Sequence, residues 1–337
     1  MQSTNNVSIE AYDRAEVQAI KRASYPAIRA FRPAAFSLAN FPVRVTDERE
    51  LIRYSDIMDE VYDAQLYYRG IQYSREEAYL ITSVSREVGT LTQDLFGRAV
   101  QPFMCLFTPI AMLRAVMALA RGAPCTILEI GPGSGYLGAY LILAGYRYGD
   151  LKVEFKYRST DNTQALYLWQ DRFFRHLVGP SYANYATTDR QPDTIPERVA
   201  SLPWWQFAEL FESPWPVDIV ICDAAMGEMD TFAANYIIRL AAVMLKDSRV
   251  GVFLFRHIGE QRINSMAYID SRFLAAGFHK HQVGPVVIHS PGQLSLPDEF
   301  PPLGGSEEMR VAESFLPIDK SKLLDSYKFF DFIRLTS

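Results

Sequence analysis

The chain has 337 residues, 49% of them apolar and 22% charged. That is ordinary globular composition, and it excludes a disordered, collagenous or coiled-coil chain. A net charge of −5 without any dense Lys/Arg run argues against a nucleic-acid partner and for a small-molecule one.

The cysteines Cys105, Cys125 and Cys222 are odd in number and widely spaced, so neither a disulfide framework nor a CxxC metal site is expected. Cys125 and Cys222 sit in or beside apolar runs and read as small core residues. The first residues are polar and acidic, unlike a signal peptide. No stretch reaches the roughly 18 apolar residues that span a bilayer. A cytoplasmic protein with no membrane partner is expected.

Residues 1–120 carry helical patterning and are expected to form a helical cap or substrate region. Leu51, Tyr54, Ile57, Met58, Val61 and Tyr62 recur at spacings of three and four, one buried helix face. Ser74 and Glu77 precede an apolar run as a capping box does. A helix is predicted from Pro109 to Arg121, stopped by Gly122 and Pro124.

The texture changes at Cys125, and residues 121–337 are expected to form a second, α/β domain. Strands are predicted at 125–131, within 152–160, at 217–222 and at 249–255. Helices are predicted at 136–144, 163–177, 231–245 and 263–276, the last stopped by Gly277. Later strands are predicted at 282–288 and 328–334, forming an antiparallel hairpin at the sheet edge. Alternating strands and helices imply a doubly wound, mainly parallel sheet. The Pro- and Gly-rich stretch 290–317 reads as a functional flap or surface excursion.

The segment Glu129-Ile-Gly131-Pro-Gly133-Ser-Gly135 follows the first of these strands. Glycine at a strand's carboxyl end lets the chain turn sharply and leaves no Cβ in a ligand's way. The helix behind it presents unpaired N–H groups and a partial positive charge. Two motifs overlap here. Gly133, Gly135 and Gly138 match the dinucleotide fingerprint literally, but Pro132 separates that frame from the strand. The acidic-x-Gly-x-Gly-x-Gly frame starts at Glu129, within the strand itself.

That second frame resembles motif I of class I S-adenosylmethionine (SAM)-dependent methyltransferases. The resemblance implies a Rossmann-like fold with SAM as cofactor and S-adenosylhomocysteine as product. Gly131, Gly133 and Gly135 would then lie against the methionine part and Glu129 would help place the ammonium. Asp161, directly after the second strand, would bind the ribose hydroxyls, or cap the following helix. Asp189 would end a poorly marked third strand and contact the adenine amine. Further on, Cys222-Asp223-Ala-Ala-Met-Gly227-Glu228-Met229 follows the fourth strand. With the LEIGPGSGYLG form of motif I and Leu202-Pro203-Trp204-Trp205, this order resembles the sugar O-methyltransferase family of bacterial biosynthetic clusters.

The acceptor end is read as follows. Asp223 and Glu228 would face the site. His257, after the fifth strand, is the preferred general base because imidazole titrates near physiological pH, with His289 as runner-up. Met226 and Met229 read as core. Trp204, Trp205 and Trp215 would stack on an acceptor ring or pack under a loop. Asp223, Glu228 and Asp230 leave a divalent ion open as an alternative, but their spacing assigns no metal site. The expected reaction is methylation of a hydroxyl on a sugar or specialised metabolite. N- or C-methylation, or SAM binding without transfer, are the alternatives. A homo-oligomer is compatible with this reading.

Overall fold

The computed structural model describes residues 6–31, 43–52, 73–100, 109–147, 154–187, 197–210, 214–223, 225–256, 263–304 and 308–309. Its centre is an eight-stranded sheet. After a short strand outside it, β1 (Tyr73–Ser74), its strands along the chain are β2 (Cys125–Ile130), β3 (Phe155–Asp161), β4 (Tyr182–Asn184), β5 (Val199–Pro203), β6 (Ile219–Ile221), β7 (Val252–Phe255), β8 (His279–Val283) and β9 (Val286–Ser290). They lie in the order β4-β5-β3-β2-β6-β7-β9-β8. The strand β9 runs antiparallel to both neighbours, and the remaining pairs are parallel. The fold is therefore the Rossmann-like, doubly wound α/β arrangement expected from the alternating elements.

Alternate residues of each strand feed two apolar layers, as the period-2 geometry of a strand requires. Leu128, Ile130, Val220, Phe253 and Phe255 face one layer with helices α1 (Ile9–Ile20) and α2 (Tyr25–Phe31). Helices at Trp204–Glu209, Thr231–Met244 and Met266–Ala275 complete that layer. Ile127, Tyr157, Ile221 and Leu254 face the other layer, with α3 (Arg75–Phe96), α4 (Ile110–Ala120) and α5 (Tyr136–Arg147). The helix α6 (Gln164–Val178) gives Leu168 to the first layer and Trp169, Phe173 and Phe174 to the second. The buried Cys125 and Cys222 are core residues.

Local signals explain the helix ends. Ser74 and Glu77 form both bonds of the capping box that starts α3. Arg121 and Gly122 adopt left-handed backbone after α4, and Gly277 does so after Met266–Ala275.

Two expectations need correction. The strand expected at 282–288 is two strands, β8 and β9, joined by a turn at Gly284, whose φ is +55°. Val-Val-Ile continues the apolar run past Gly284-Pro285, which hid the turn. An antiparallel hairpin does lie at this edge, formed by β9 and β8, with β8 outermost among the described strands. The third strand is not one strand ending at Asp189. β4 ends at Asn184, and the place beside β3 belongs to β5. Asp189 lies outside the described residues, as do 328–334 and, beyond Ile52, the helix expected around 51–62.

The flap expectation for 290–317 also changes where that stretch is described. Phe300 and Leu303 are buried, and the Leu303 N–H donates to the Glu77 carboxylate at 3.1 Å. Glu308–Met309 pairs antiparallel with Tyr73–Ser74. This is a strap packed along α3. Glu77, fully buried, also accepts from the Ser74 N–H at 2.9 Å and bidentately from Arg114 at 2.7 and 2.6 Å.

Candidate active site

The carboxyl ends of β2, β3, β6 and β7 meet at the glycine loop. Gly131, Gly133 and Gly135 have φ of +67°, +57° and +78°, backbone that side-chain-bearing residues rarely adopt. A Cβ on Gly133 would meet nothing within 4 Å, so the loop is open in front of it. The loop is held from behind by two side chains of α6. Trp169 Nε1 donates to the Ser134 carbonyl at 3.1 Å, and Gln170 Nε2 to the Gly133 carbonyl at 2.8 Å. Gly138, third glycine of the dinucleotide frame, serves packing. A Cβ there would lie 2.6–2.7 Å from the Tyr157 ring and hydroxyl.

Strand register gathers three carboxyl groups around this loop. Glu129 pairs with Ser159 on β3 and with Ile221 on β6. Asp161 and Asp223 each lie two residues beyond those partners. At about 4.8 Å between strands and 3.3 Å per residue, their Cα atoms fall roughly 8 Å from that of Glu129. The even offset also puts all three on the same side of the pleat.

Each carboxyl group is managed differently. Tyr157 donates its hydroxyl to Glu129 Oε2 at 2.5 Å inside the core. Burial pushes Glu129 up to about 8; the neighbouring Asp223 and Asp161 charges add to this, and the Tyr157 hydrogen bond opposes it. Asp161 Oδ1 accepts from both the N–H and the hydroxyl of Thr163 at 3.0 Å, and Oδ2 from Gln170 Nε2 at 3.2 Å. Burial raises Asp161 to about 6 against those hydrogen bonds. The helix cap itself is Thr163, whose hydroxyl accepts from the Leu166 N–H, so Asp161 supports the cap one step removed. Asp223 is bound bidentately by Arg256, at 2.7 and 2.5 Å, which joins the ends of β6 and β7.

The Gly-Glu-Met segment starts at the last residue of a 3-10 turn, Ala225–Gly227, with Glu228 half-buried just after it. Asn264 pins this turn. Its amide donates to the Met226 carbonyl at 3.1 Å and the Met229 carbonyl at 2.8 Å, and its N–H to the Gly227 carbonyl at 3.1 Å. Met226 is fully buried and Met229 partly so, both against the core as expected. Asp230 caps the following helix through the Phe232 N–H. Among the described residues no group of three or more His, Cys, Asp and Glu is arranged to hold a metal ion.

His257 lies outside the described residues. His289, its runner-up, is away from the loop. It pairs with Phe253, two residues before the end of β7, and stacks on Phe273 at 4.0 Å beside Asp270. Burial lowers it to about 4, the behaviour of a core imidazole kept neutral. Trp204 and Trp205 take the packing role. Trp204 Nε1 donates to Glu16 at 2.8 Å, and Trp205 meets the Tyr12 ring edge-on at 5.0 Å, fastening α1 to the sheet.

Tyr157, Gln170, Arg256 and Asn264 were not singled out from sequence. Only Tyr157 left a trace, as a residue within the predicted second strand. The other three act through side-chain bonds to distant segments, which periodicity does not encode.

The residues fit a ligand that is cationic at one end and carries vicinal hydroxyls. The glycine cradle is open, the donors nearby are mostly engaged, and the acceptors are carboxyl groups. Two buried atoms beside the loop, Ser134 Oγ and Gln170 Oε1, have no hydrogen-bond partner. A dinucleotide's pyrophosphate would instead face three acidic groups. Among the described residues no helix is long and apolar enough to cross a membrane.

No family model and no curated protein matches the chain. Solved structures do. The chain is similar to magnesium protoporphyrin IX methyltransferase from Synechocystis PCC 6803 with bound SAM, at 12% identity and TM-score 0.37, over 74% of this chain and 99% of that one. It is similar to an O-methyltransferase family protein from Burkholderia thailandensis at 13% identity and TM-score 0.36, over 84% and 70%. A sugar N-methyltransferase from Streptoalloteichus sp. ATCC 53650 matches at 12% identity and TM-score 0.36, over 56% and 88%. At these values the functional reading rests on the chain's own residues.

Proposed function

We propose that this chain is a SAM-dependent methyltransferase acting on a hydroxyl of a small molecule, a sugar or specialised metabolite. The observation that carries the reading is the left-handed glycine loop at the end of β2, ringed by Glu129, Asp161 and Asp223. SAM, when bound, supplies a methyl group already activated on a sulfonium.

The chain's task is then to orient and to move one proton. Gly131, Gly133 and Gly135 let backbone approach the methionine part, Glu129 takes the ammonium, and Asp161 takes the ribose hydroxyls through its remaining acceptor capacity. Asp189 is assigned to the adenine amine. On the acceptor side Asp223, fixed by Arg256, and Glu228, on the turn pinned by Asn264, face the hydroxyl, and His257 removes its proton.

The test is calorimetry followed by turnover. S-adenosylhomocysteine should bind and NAD should not; heat from NAD alone overturns the cofactor assignment. His257→Ala should keep S-adenosylhomocysteine affinity while methyl transfer falls about 10²-fold or more; unchanged transfer removes His257 as base.

A further inference from the structure

The three carboxyl groups at the loop are unequally matched. Asp223 has the Arg256 guanidinium. Glu129 and Asp161 form no ion pair among the described residues, and their donors are neutral: the Tyr157 hydroxyl for one, Thr163 and the Gln170 amide for the other. Both are at most 4% exposed. Titratable groups around Glu129 are Tyr157 and Asp161 from β3, and Cys222 and Asp223 from the end of β6, with Arg256 of β7 reaching it through Asp223. Among the described residues, one guanidinium against three acids, two of them buried, leaves two negative charges uncompensated if all ionise. Crowded carboxyl groups in dry surroundings retain a proton instead.

The Tyr157 bond fixes where the Glu129 carboxyl lies. Tyr157 cannot swing away, because its ring is packed edge-on against Phe174 at 5.5 Å and Gly138 abuts it. The unpartnered Gln170 Oε1 lies on the amide that bridges Asp161 to the Gly133 carbonyl, an independent sign that the cluster is completed by a donor from outside the chain.

Resting on the function proposed above, we infer that the free protein keeps a proton on the buried Glu129 carboxyl, that Tyr157 is the positioning residue that fixes this carboxyl and eases its ionisation, and that a cationic ligand group exchanges for the proton. The exchange balances. The Glu129 O–H bond breaks, the proton leaves to solvent, and the ligand's ammonium takes its place against the carboxylate. The upward displacement of Glu129 by burial and by its acidic neighbours agrees with this geometry.

The experiment is calorimetry at pH 7 and pH 8, each in phosphate and in Tris, so that the buffers' different ionisation heats count the protons released. The probes are S-adenosylhomocysteine, which carries the ammonium, and methylthioadenosine, which keeps the nucleoside without it. S-adenosylhomocysteine should bind about fivefold tighter at pH 8 than at pH 7 and release close to one proton at pH 7. Methylthioadenosine should release none.

Glu129→Gln should abolish both the pH dependence and the release. Tyr157→Phe should keep the release but shift the rise in affinity to higher pH, an effect that loosened packing alone does not produce. S-adenosylhomocysteine binding with no proton release and equal affinity at both pH values overturns the exchange while leaving the methyltransferase reading intact. No binding of either probe overturns both.

Discussion

Gly138→Ala sets two effects of opposite sign against each other. In an ordinary helix interior the change stabilises by about 1 kcal/mol through backbone propensity. Here the new Cβ would sit 2.6 Å from the Tyr157 ring. The ring is 1% exposed and cannot retreat without giving up its hydroxyl bond to Glu129. Overpacking of this kind costs roughly 1–3 kcal/mol, and a lost buried hydrogen bond about 1 kcal/mol more. The clash wins, with a net loss of about 2 kcal/mol.

Chemical-denaturation midpoints of the wild type, Gly138→Ala, Tyr157→Leu and the double variant test this as a cycle. The double variant should be less destabilised than the sum of the singles, because removing the ring relieves the clash. A Gly138→Ala protein as stable as the wild type would falsify the reasoning, since propensity would then have prevailed and the glycine would need another explanation.

Two further outcomes follow from buried carboxyl groups. Glu77→Ala should destabilise by about 3 kcal/mol, the lower end for breaking a buried pair, because Arg114 keeps 16% exposure. Hydrogen exchange should quicken at 300–304 more than across the central sheet, and uniform change would argue against a specific anchor. The second outcome concerns pH. Glu129 is raised from 4.5 to about 8, so its contribution is full below its unfolded value and is lost as pH climbs through the folded one. Between pH 6 and 8 the free protein should lose roughly 2 kcal/mol from this group. Glu129→Gln should flatten that part of the melting-temperature profile, and an unchanged slope would assign the loss elsewhere.

The sheet was legible in the sequence because most of its central strands are apolar runs. CTILEIG, VDIVIC and RVGVFLF all gave strands. Glu129 and Asp161 were singled out because strand ends are where such a fold places ligands. The gaps have physical causes. Gly284-Pro285 is a turn signal inside an unbroken apolar run, so hydrophobicity outweighed it. Val199–Pro203 is fully buried yet built from small and mixed residues, Val-Ala-Ser-Leu-Pro, with no alternation to read. Arg256 was passed over for its neighbour His257, since imidazole chemistry is visible in sequence. A guanidinium reaching Asp223, 33 residues away, is not.

Glu77 has a consequence for how the chain assembles. Its bond to Ser74 closes over three residues and forms with the helix itself. Its bond to Leu303 closes over 226 residues and waits until the sheet has brought the strap back to α3. Loop-closure entropy grows only logarithmically with length, so at equilibrium the distant contact costs modestly more than a near one. In time the two differ widely, because non-local contacts form late. One carboxylate thus takes part in both the earliest ordering of this helix and the last closure of the strap over it.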